Sequence, residues 1–144
     1  MKLSQHFTLD EFVRSDTAVR KGIENNPSDS IIENLKITAM GMEEVRELLQ
    51  VPILVTSGYR SPVLNRTIGG SKSSAHMHGF ACDFIAPKFG NSLAIVNKIK
   101  ESGILVDQCI MEGTWTHISF DPQMRQKFMT ATFMNGKAIY TDFD

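Results

Sequence analysis

The sequence predicts an α+β fold, in which an antiparallel sheet carries helices on one face. One observation is the order of the predicted elements, because a helix, a strand and another helix are followed mostly by strands. Another is the alternation of polar and apolar residues in the strands, which is typical of a sheet with one buried face. The third is Asn135–Gly136 between apolar flanks, a strong signal for an antiparallel hairpin.

Two capping boxes predict where the first helices begin. Thr8 is followed three residues later by Glu11, and Ser30 is followed in the same way by Glu33. In this motif the hydroxyl and the carboxylate each accept a hydrogen bond from an unpaired N–H group at the start of the helix. Between these helices, residues 14–27 are polar and rich in turn-forming residues, so we expect a loop there.

The second helix is expected to run to about Leu49, because apolar residues recur along it at helical spacing. Gly41 lies within it and costs ~1 kcal/mol relative to alanine, which is too little to end the helix. Met40 and Met42 of this helix are expected to fill gaps in the core, as is Met111 farther along the chain.

The rest of the chain alternates short apolar runs with turn signals. Alternating and β-branched residues predict strands, and an amphipathic pattern that ends at Gly103 predicts a helix. A further short helix can begin at Pro62, because proline suits the first position of a helix. The predicted strands are residues 53–56, 80–85, 107–112 and 115–120, and the amphipathic helix spans residues 92–102.

Length and composition indicate one globular domain spanning residues 1–144. The net charge of -1 gives no reason to expect a nucleic-acid partner, and no apolar run is long enough for membrane insertion. The N-terminus lacks the apolar core of a signal peptide, so we expect synthesis in the cytoplasm, and we expect a monomer. The two cysteines, Cys82 and Cys109, are expected to be buried free thiols, with a bridge between them as the alternative.

Three metal-competent side chains lie in or beside predicted strands. His76 precedes strand 80–85, Asp83 lies within that strand, and His117 lies in strand 115–120. Imidazole and carboxylate both suit Zn²⁺, and a catalytic zinc site has three protein ligands and one open position. Neighbouring strands can bring such side chains together on one face of a sheet, so these residues are a candidate zinc site.

Alternation along the strands separates a polar face from an apolar face. If Asp83, Glu112 and His117 face the site, then Cys82 and Cys109 face the core. The residues alone leave two alternatives open. The histidines either bind a metal or are ordinary surface or core side chains.

Two other histidines have less specific interpretations. His78 would share the face of His76 if this segment were a strand, but a fourth protein ligand would close the open position of a catalytic zinc. We therefore expect His78 at the rim of the site or on its substrate side, and His6 at the surface or in a local contact at the start of the first helix.

Three segments together resemble the M15 zinc peptidases, which include D-Ala-D-Ala carboxypeptidases, dipeptidases and phage L-alanyl-D-glutamate endolysins. These segments are SGYRSP, SAHMHGFACD and DQCIMEGTWTHISF, in that order along the chain. The N-terminal FTLDEF is similar to small phage and prophage members, and the resemblance covers about residues 3–120. It implies a hedgehog/DD-peptidase-like fold and a zinc metallopeptidase that hydrolyses the stem peptides of bacterial peptidoglycan.

The resemblance also implies roles for individual residues. His76, Asp83 and His117 match the ligands of one zinc ion per chain, and Glu112 matches the general base. The spacing from Glu112 to the last histidine is longer than in several M15 members. Asp107 is the alternative acid, although strand alternation places it on the opposite face from Glu112.

Substrate contacts are implied in the same way. Arg60 matches a catalytic arginine that stabilises the developing oxyanion or holds a substrate carboxylate. Ser74 matches the serine of the metal motif and is expected to donate a hydrogen bond in the site. Trp115 is assigned to the substrate cleft, with simple packing as the alternative.

The motifs leave two activities open, carboxypeptidase and endopeptidase, because they define the metal and not the substrate subsites. The resemblance implies a phage or prophage source and an enzyme that reaches the cell wall after synthesis in the host cytoplasm. The alternative from another functional class is a catalytically inactive zinc-binding module, either a virion component or a wall-binding one. The presence of Glu112 and Arg60 argues against it.

Overall fold

A six-stranded sheet forms the centre of the molecule, and the computed structural model describes residues 1–144. The strands are β1 (Leu54–Ser57), β2 (Ala81–Ile85), β3 (Gln108–Glu112), β4 (Trp115–Ser119), β5 (Lys127–Met134) and β6 (Lys137–Asp142). They lie in the order β1-β2-β4-β3-β5-β6, and helices pack against one face. The predicted α+β fold is confirmed, and the four strands that were predicted by position lie within one residue of their expected bounds.

Five α-helices and one 3₁₀ helix connect and cover the strands. The capping box of Thr8 and Glu11 begins the first helix as predicted, and Pro62 opens the fourth. None of the helices combines the length and the apolar character that crossing a lipid bilayer requires. The helices are α1 (Leu9–Val13), α2 (Asp16–Lys21), α3 (Asp29–Leu49), α4 (Pro62–Ile68) and α5 (Ser92–Ser102), with the 3₁₀ helix at Ala75–His78.

The long helix α3 begins two residues earlier than predicted. The hydroxyl of Ser28, not that of Ser30, accepts the capping hydrogen bond, which comes from the N–H group of Ile31 at 3.3 Å. Glu33 forms an ion pair with Lys36 at 3.1 Å and takes no part in a capping box. Two serines in neighbouring positions offer the same acceptor, so local sequence does not decide between them.

Helix α2 lies within the segment that was predicted to be a loop. Ser15 caps it by accepting a hydrogen bond from the N–H group of Ala18 at 3.1 Å, and Gly22 ends it in the left-handed region at a φ of 64°. The helix has only six residues. Such a short helix depends on tertiary contacts rather than on its own propensity, which explains why the polar sequence did not reveal it.

Every neighbouring pair of strands is antiparallel, as expected, except one. β5 runs parallel to β3 because β4 ends beside the start of β3, and residues 121–126 carry the chain across that end to the other side of β3. There Arg125 donates two hydrogen bonds of 2.9 Å to the carboxylate of Asp107. The predicted hairpin turn at Asn135–Gly136 joins β5 to β6, and both turn residues have positive φ angles, as a two-residue hairpin of type I′ requires.

The hydrophobic core lies between the sheet and helices α3 and α5. Cys82 and Cys109 are buried there as free thiols, as predicted, and Ile118 lies between them in the register of the sheet. Met42 is fully buried, as expected, whereas Met40 is 60% exposed on the outer side of α3. Other members of the core are Leu35, Ala39 and Val45 of α3, Ile95, Val96 and Ile99 of α5, and Phe84 and Phe120.

Candidate metal centre

The three residues predicted to bind a metal meet on the face of the sheet opposite the core. Asp83 of β2 lies directly beside His117 of β4 in the antiparallel register. His76 approaches both from the 3₁₀ helix that precedes β2. One ligand atom from each of the three residues lies within 4.8 Å of the others. The fold therefore brings together side chains that lie far apart along the chain.

Three short contacts define the geometry of this cluster. Oδ1 of Asp83 lies 3.0 Å from Nδ1 of His117 and 3.3 Å from Nε2 of His76. The two ring nitrogens are 3.2 Å apart. Two imidazole nitrogens and one carboxylate oxygen form a donor set that suits Zn²⁺. The residues present thus fit a zinc ion by their chemistry and by their convergence.

A hydrogen bond to the ring nitrogen that faces away from the cluster fixes the orientation of His76. Its Nδ1 lies 2.6 Å from the backbone carbonyl oxygen of Gly58. A carbonyl oxygen only accepts hydrogen bonds, so Nδ1 carries the proton and Nε2 directs its lone pair into the cluster. A metal-binding histidine is commonly held in this way through its second nitrogen.

The 3₁₀ helix that carries His76 is held against α3. The hydroxyl of Ser74 caps it by accepting a hydrogen bond from the N–H group of His76 at 3.2 Å. Gly79 ends it with a φ of 80°, and the hydroxyl of Thr38 donates to the carbonyl oxygen of Gly79 at 2.7 Å. In this arrangement Ser74 accepts a hydrogen bond that shapes the loop, and the predicted donation from its hydroxyl in the site stays a prediction.

His78 takes no part in the cluster. The segment forms a 3₁₀ helix and not a strand, so His76 and His78 do not share a face. The side chain of His78 is exposed, and its carbonyl oxygen accepts a hydrogen bond from Nδ2 of Asn34 at 2.9 Å. His6 lies at the surface, as expected, with its ring 2.6 Å from Glu43.

The protonation states of His76 and Asp83 favour metal binding, whereas the raised pKa of His117 means that a metal must displace a proton there. Burial alone would raise the pKa of Asp83, but His76 and His117 outweigh it and hold the pKa well below its ordinary value. Burial lowers the pKa of His76, so its ring is neutral near neutral pH. Burial is the largest effect on His117 and disfavours its charged form, but the bond to Asp83 and the negative charges of Asp83 and Glu112 together outweigh it and raise its pKa. Asp83 is therefore the fixed negative charge of the centre.

Glu112 lies at the end of β3, paired with Trp115 of β4. It faces the cluster, because Ile110, two residues earlier on the same strand, lies directly beside His117. Burial raises the pKa of Glu112, even though His117 and Arg60 favour its charged form. The structure thus places a partly desolvated carboxyl group on the site face next to the candidate ligands.

Arg60 follows the edge strand β1, so it approaches the site from the other end of the strand order than Glu112 of β3. Its backbone N–H donates to the carbonyl oxygen of His76 at 3.1 Å, and its Nη1 lies 3.3 Å from Oδ1 of Asn65. Its Nε is buried and has no hydrogen-bond partner. Burial lowers the pKa of Arg60, while the charges of Asp83 and Glu112 oppose this change. The guanidinium group therefore lies in the field of both carboxylates.

The alternative acid, Asp107, is engaged elsewhere. The side chain of Arg125 donates two hydrogen bonds to the Asp107 carboxylate, and its backbone N–H donates a third at 3.0 Å.

Trp115 is half-buried on the site face, and its ring centroid lies 6.4 Å from that of Phe133. The indole N–H of Trp115 is buried and interacts with Glu112, which opposes the rise in the pKa of that carboxyl group.

Two buried asparagines support the segment that carries Arg60, and no local sequence signal identifies either of them. Asn25 donates to the carbonyl oxygen of Tyr59 at 3.0 Å and accepts from the N–H group of Ser61 at 2.7 Å. Asn65 holds Nη1 of Arg60 and donates to the next loop. Asparagine is common in exposed turns, so its role here becomes visible only in the folded chain.

Comparison with known proteins adds to this geometry. The family model described as Peptidase M15 matches residues 5–119, which is most of the chain. The match includes the three clustered residues as well as Glu112 and Arg60, and it ends before the C-terminal hairpin. A search among curated proteins finds no significant match. The chain belongs to the M15 family of peptidases.

Proposed function

We propose that the protein is a zinc-dependent peptidase that hydrolyses the stem peptides of bacterial peptidoglycan. The observation that carries this proposal is the convergence of His76, Asp83 and His117 on the face that also presents Glu112. Membership of the M15 family supports peptidase chemistry. The choice of a wall substrate is supported by the resemblance of the motifs to M15 carboxypeptidases and endolysins.

One zinc ion per chain is assigned to this cluster. Two imidazole nitrogens and one carboxylate would leave the fourth position of a tetrahedral site open. When bound, zinc supplies Lewis acidity, which polarises a carbonyl group and lowers the pKa of water to ~7. A neutral His76 and an ionised Asp83 are the forms that bind a metal, and the pKa of each is shifted in the direction that favours its binding form.

Glu112 is assigned as the general base. Its carboxylate accepts a proton from the water that attacks the scissile carbonyl carbon. As the C–N bond breaks, the same carboxyl group donates that proton to the leaving amine. Burial raises the pKa of Glu112, and this suits both steps, because a group that takes up a proton and returns it works best near the ambient pH.

Arg60 is assigned to the oxygen of the scissile carbonyl group, where negative charge develops, or to a substrate carboxylate. Its planar guanidinium group can donate two parallel hydrogen bonds to either target. The free Nε–H supports this assignment, because a buried donor without a partner is costly unless a ligand satisfies it. Ser74 shapes the loop of the site, and Trp115 forms part of the cleft beside Glu112.

Two scissile bonds are compatible with this chemistry, the D-Ala-D-Ala bond and the L-Ala-D-Glu bond. All assigned residues come from one chain, so a monomer is sufficient for activity. A phage or prophage source is part of the proposal, with synthesis in the host cytoplasm and action on the cell wall. It is supported by the similarity of FTLDEF to small phage members.

Digestion of purified peptidoglycan tests the proposal. Zinc-loaded protein is incubated with sacculi, and mass spectrometry identifies the new termini. We expect release of D-alanine or exposure of new D-Glu amino termini, which also distinguishes the two bonds. The His117→Ala variant serves as the control and should lack both metal and cleavage, because it removes a ligand.

A zinc-loaded protein that cleaves neither sacculi nor soluble stem peptides would contradict the proposal. In that case the catalytically inactive zinc-binding module is the better description. Cleavage that persists after complete removal of zinc would contradict the metal assignment instead.

A further inference from the structure

The C-terminal hairpin lies beside the candidate site, although it is outside the residues that match the family. Met111 of β3 lies opposite Thr130 of β5, so the following pair in this parallel register places Ala131 beside Glu112. Across β5, Ala131 is paired with Tyr140 of β6. Glu112, Ala131 and Tyr140 therefore form one row across three neighbouring strands.

Strand alternation places this row on the site face. Phe128 of β5 and Phe143, which follows β6, are bonded to each other and pack into the core on the helix side. Ala131 and Tyr140 have the opposite parity, so their side chains lie on the same face as Glu112. The small side chain of Ala131 separates Glu112 from Tyr140 in this row, and Tyr140 is 51% exposed.

Aromatic side chains continue this surface toward the end of the sheet. Phe133 of β5 contacts Trp115, with the ring planes inclined by 37°. The buried N–H group of Trp115 lies close enough to Glu112 to oppose the rise in the pKa of that carboxyl group. The hairpin side of the site thus offers an apolar surface beside the phenol of Tyr140, a combination that suits a peptide backbone with its regularly spaced carbonyl groups.

The electrostatic surroundings keep the hydroxyl of Tyr140 protonated. Burial raises the pKa of this phenol, and the negative charges of Glu112 and Asp83 raise it further. A protonated phenol in this position is a hydrogen-bond donor at neutral pH.

We propose that Tyr140 is a substrate-binding residue, whose hydroxyl donates a hydrogen bond to a backbone carbonyl of the peptide bound beside Glu112. This inference rests on the proposed function and deepens it. In this arrangement the substrate lies across the site face, between Arg60 next to β1 and the hairpin at β6. The hairpin therefore forms one wall of the site and helps to select an extended peptide.

Two substitutions in β6, each of which removes one hydroxyl group, test this inference. Tyr140→Phe removes the proposed donor, and Thr141→Val removes a hydroxyl from the opposite face of β6, where Thr141 is paired with Thr130. Cleavage of a soluble stem peptide gives kcat and KM for the zinc-loaded variants. Binding of the same peptide to each variant in a Glu112→Gln background is followed by the fluorescence of Trp115, the only tryptophan of the chain.

We expect Tyr140→Phe to weaken peptide binding and to raise KM by about 3–10-fold, the effect of one neutral hydrogen bond. Zinc content and melting temperature should be unchanged, and Thr141→Val should match the wild type in every measurement. Wild-type binding and KM in Tyr140→Phe would overturn the inference and leave the proposed function intact. A different result would contradict the proposed function itself, and the inference with it. In that result the zinc-loaded wild type does not cleave the peptide, and the Glu112→Gln variant does not bind it.

Discussion

His76 and Gly58 are joined by a hydrogen bond of 2.6 Å from the imidazole Nδ1 to the backbone carbonyl oxygen. The bond connects the turn after β1 to the candidate metal centre. It holds the ring in the tautomer whose Nε2 faces Asp83 and His117. A backbone group outside the ligand set thereby controls the geometry of that set.

Gly58→Ala is expected to weaken zinc binding by about 10–100-fold, the usual effect of disturbing a group that orients a ligand. A Cβ at this position would lie 2.8 Å from the Cα of Phe12, so the turn must shift and the bond to His76 must loosen. Competition with a chelator of known affinity measures the change.

Gly41→Ala is the matched control for this experiment. Its Cβ would lie 2.5 Å from the ring of Phe120, on the core side of the sheet, so it should lower stability without altering zinc affinity. Equal zinc affinity in the wild type and Gly58→Ala would show that the carbonyl group does not control the ligand.

Glu112→Gln is expected to fold, to retain zinc and to lose cleavage of wall peptides by at least ~100-fold. The amide has nearly the same shape as the carboxyl group but cannot accept the proton of the attacking water. Metal content from elemental analysis and initial rates of peptide cleavage measure the two effects separately.

Asp107→Asn is the control for the assignment of the base. Asp107 is bound to Arg125 on the other side of the sheet, so this variant should retain most of the activity. A fully active Glu112→Gln would exclude Glu112 as the base.

The ion pair of Asp107 and Arg125 predicts a loss of stability in acid. Hydrogen bonds from Arg125 hold the pKa of Asp107 below its ordinary value. A carboxylate with a lowered pKa in the folded state stabilises the fold above its unfolded pKa of ~4, and this contribution is lost as the pH falls through the folded value. Melting temperatures of the wild type and Asp107→Asn should therefore differ at neutral pH and converge in strong acid. A difference that is independent of pH would contradict this explanation.

Both cysteines are expected to react slowly with thiol reagents in the folded protein and quickly after unfolding. Burial raises the pKa of Cys82 and of Cys109, and the thiolate is the reactive form. Labelling rates with and without denaturant, together with the mass of the unreduced protein, test this. Rapid labelling of the native protein, or a mass that shows a bridge, would contradict the burial of the thiols.

The clustering of the candidate ligands could be predicted because it depends on local rules. Strand alternation placed Asp83, Glu112 and His117 on one face, and the structure has them there. The same rule failed for His78, because the residues before β2 wind into a 3₁₀ helix that Ser74 caps. A hydroxyl near a chain turn does not by itself indicate which local structure it stabilises.

Features that depend on distant contacts could not be predicted. Arg125 binds Asp107 where the parallel pairing of β3 and β5 begins, and nothing in the spacing of these residues indicates the direction of the strand. Tyr140 lies far from the motifs in the sequence and reaches the site only through this pairing. The sequence identified the hairpin from its turn, but not its place in the sheet.

The pairing of β5 with β3 has a consequence for the behaviour of shorter fragments. β5 covers the outer edge of β3, which carries Cys109, and Phe143 fills part of the core from beyond β6. A fragment that stops where the family match ends, at residue 119, would expose that edge. Unpaired edge strands recruit other chains and start aggregation. The hairpin therefore protects β3 from pairing with other chains, and we expect such a fragment to aggregate under conditions in which the 144-residue chain does not.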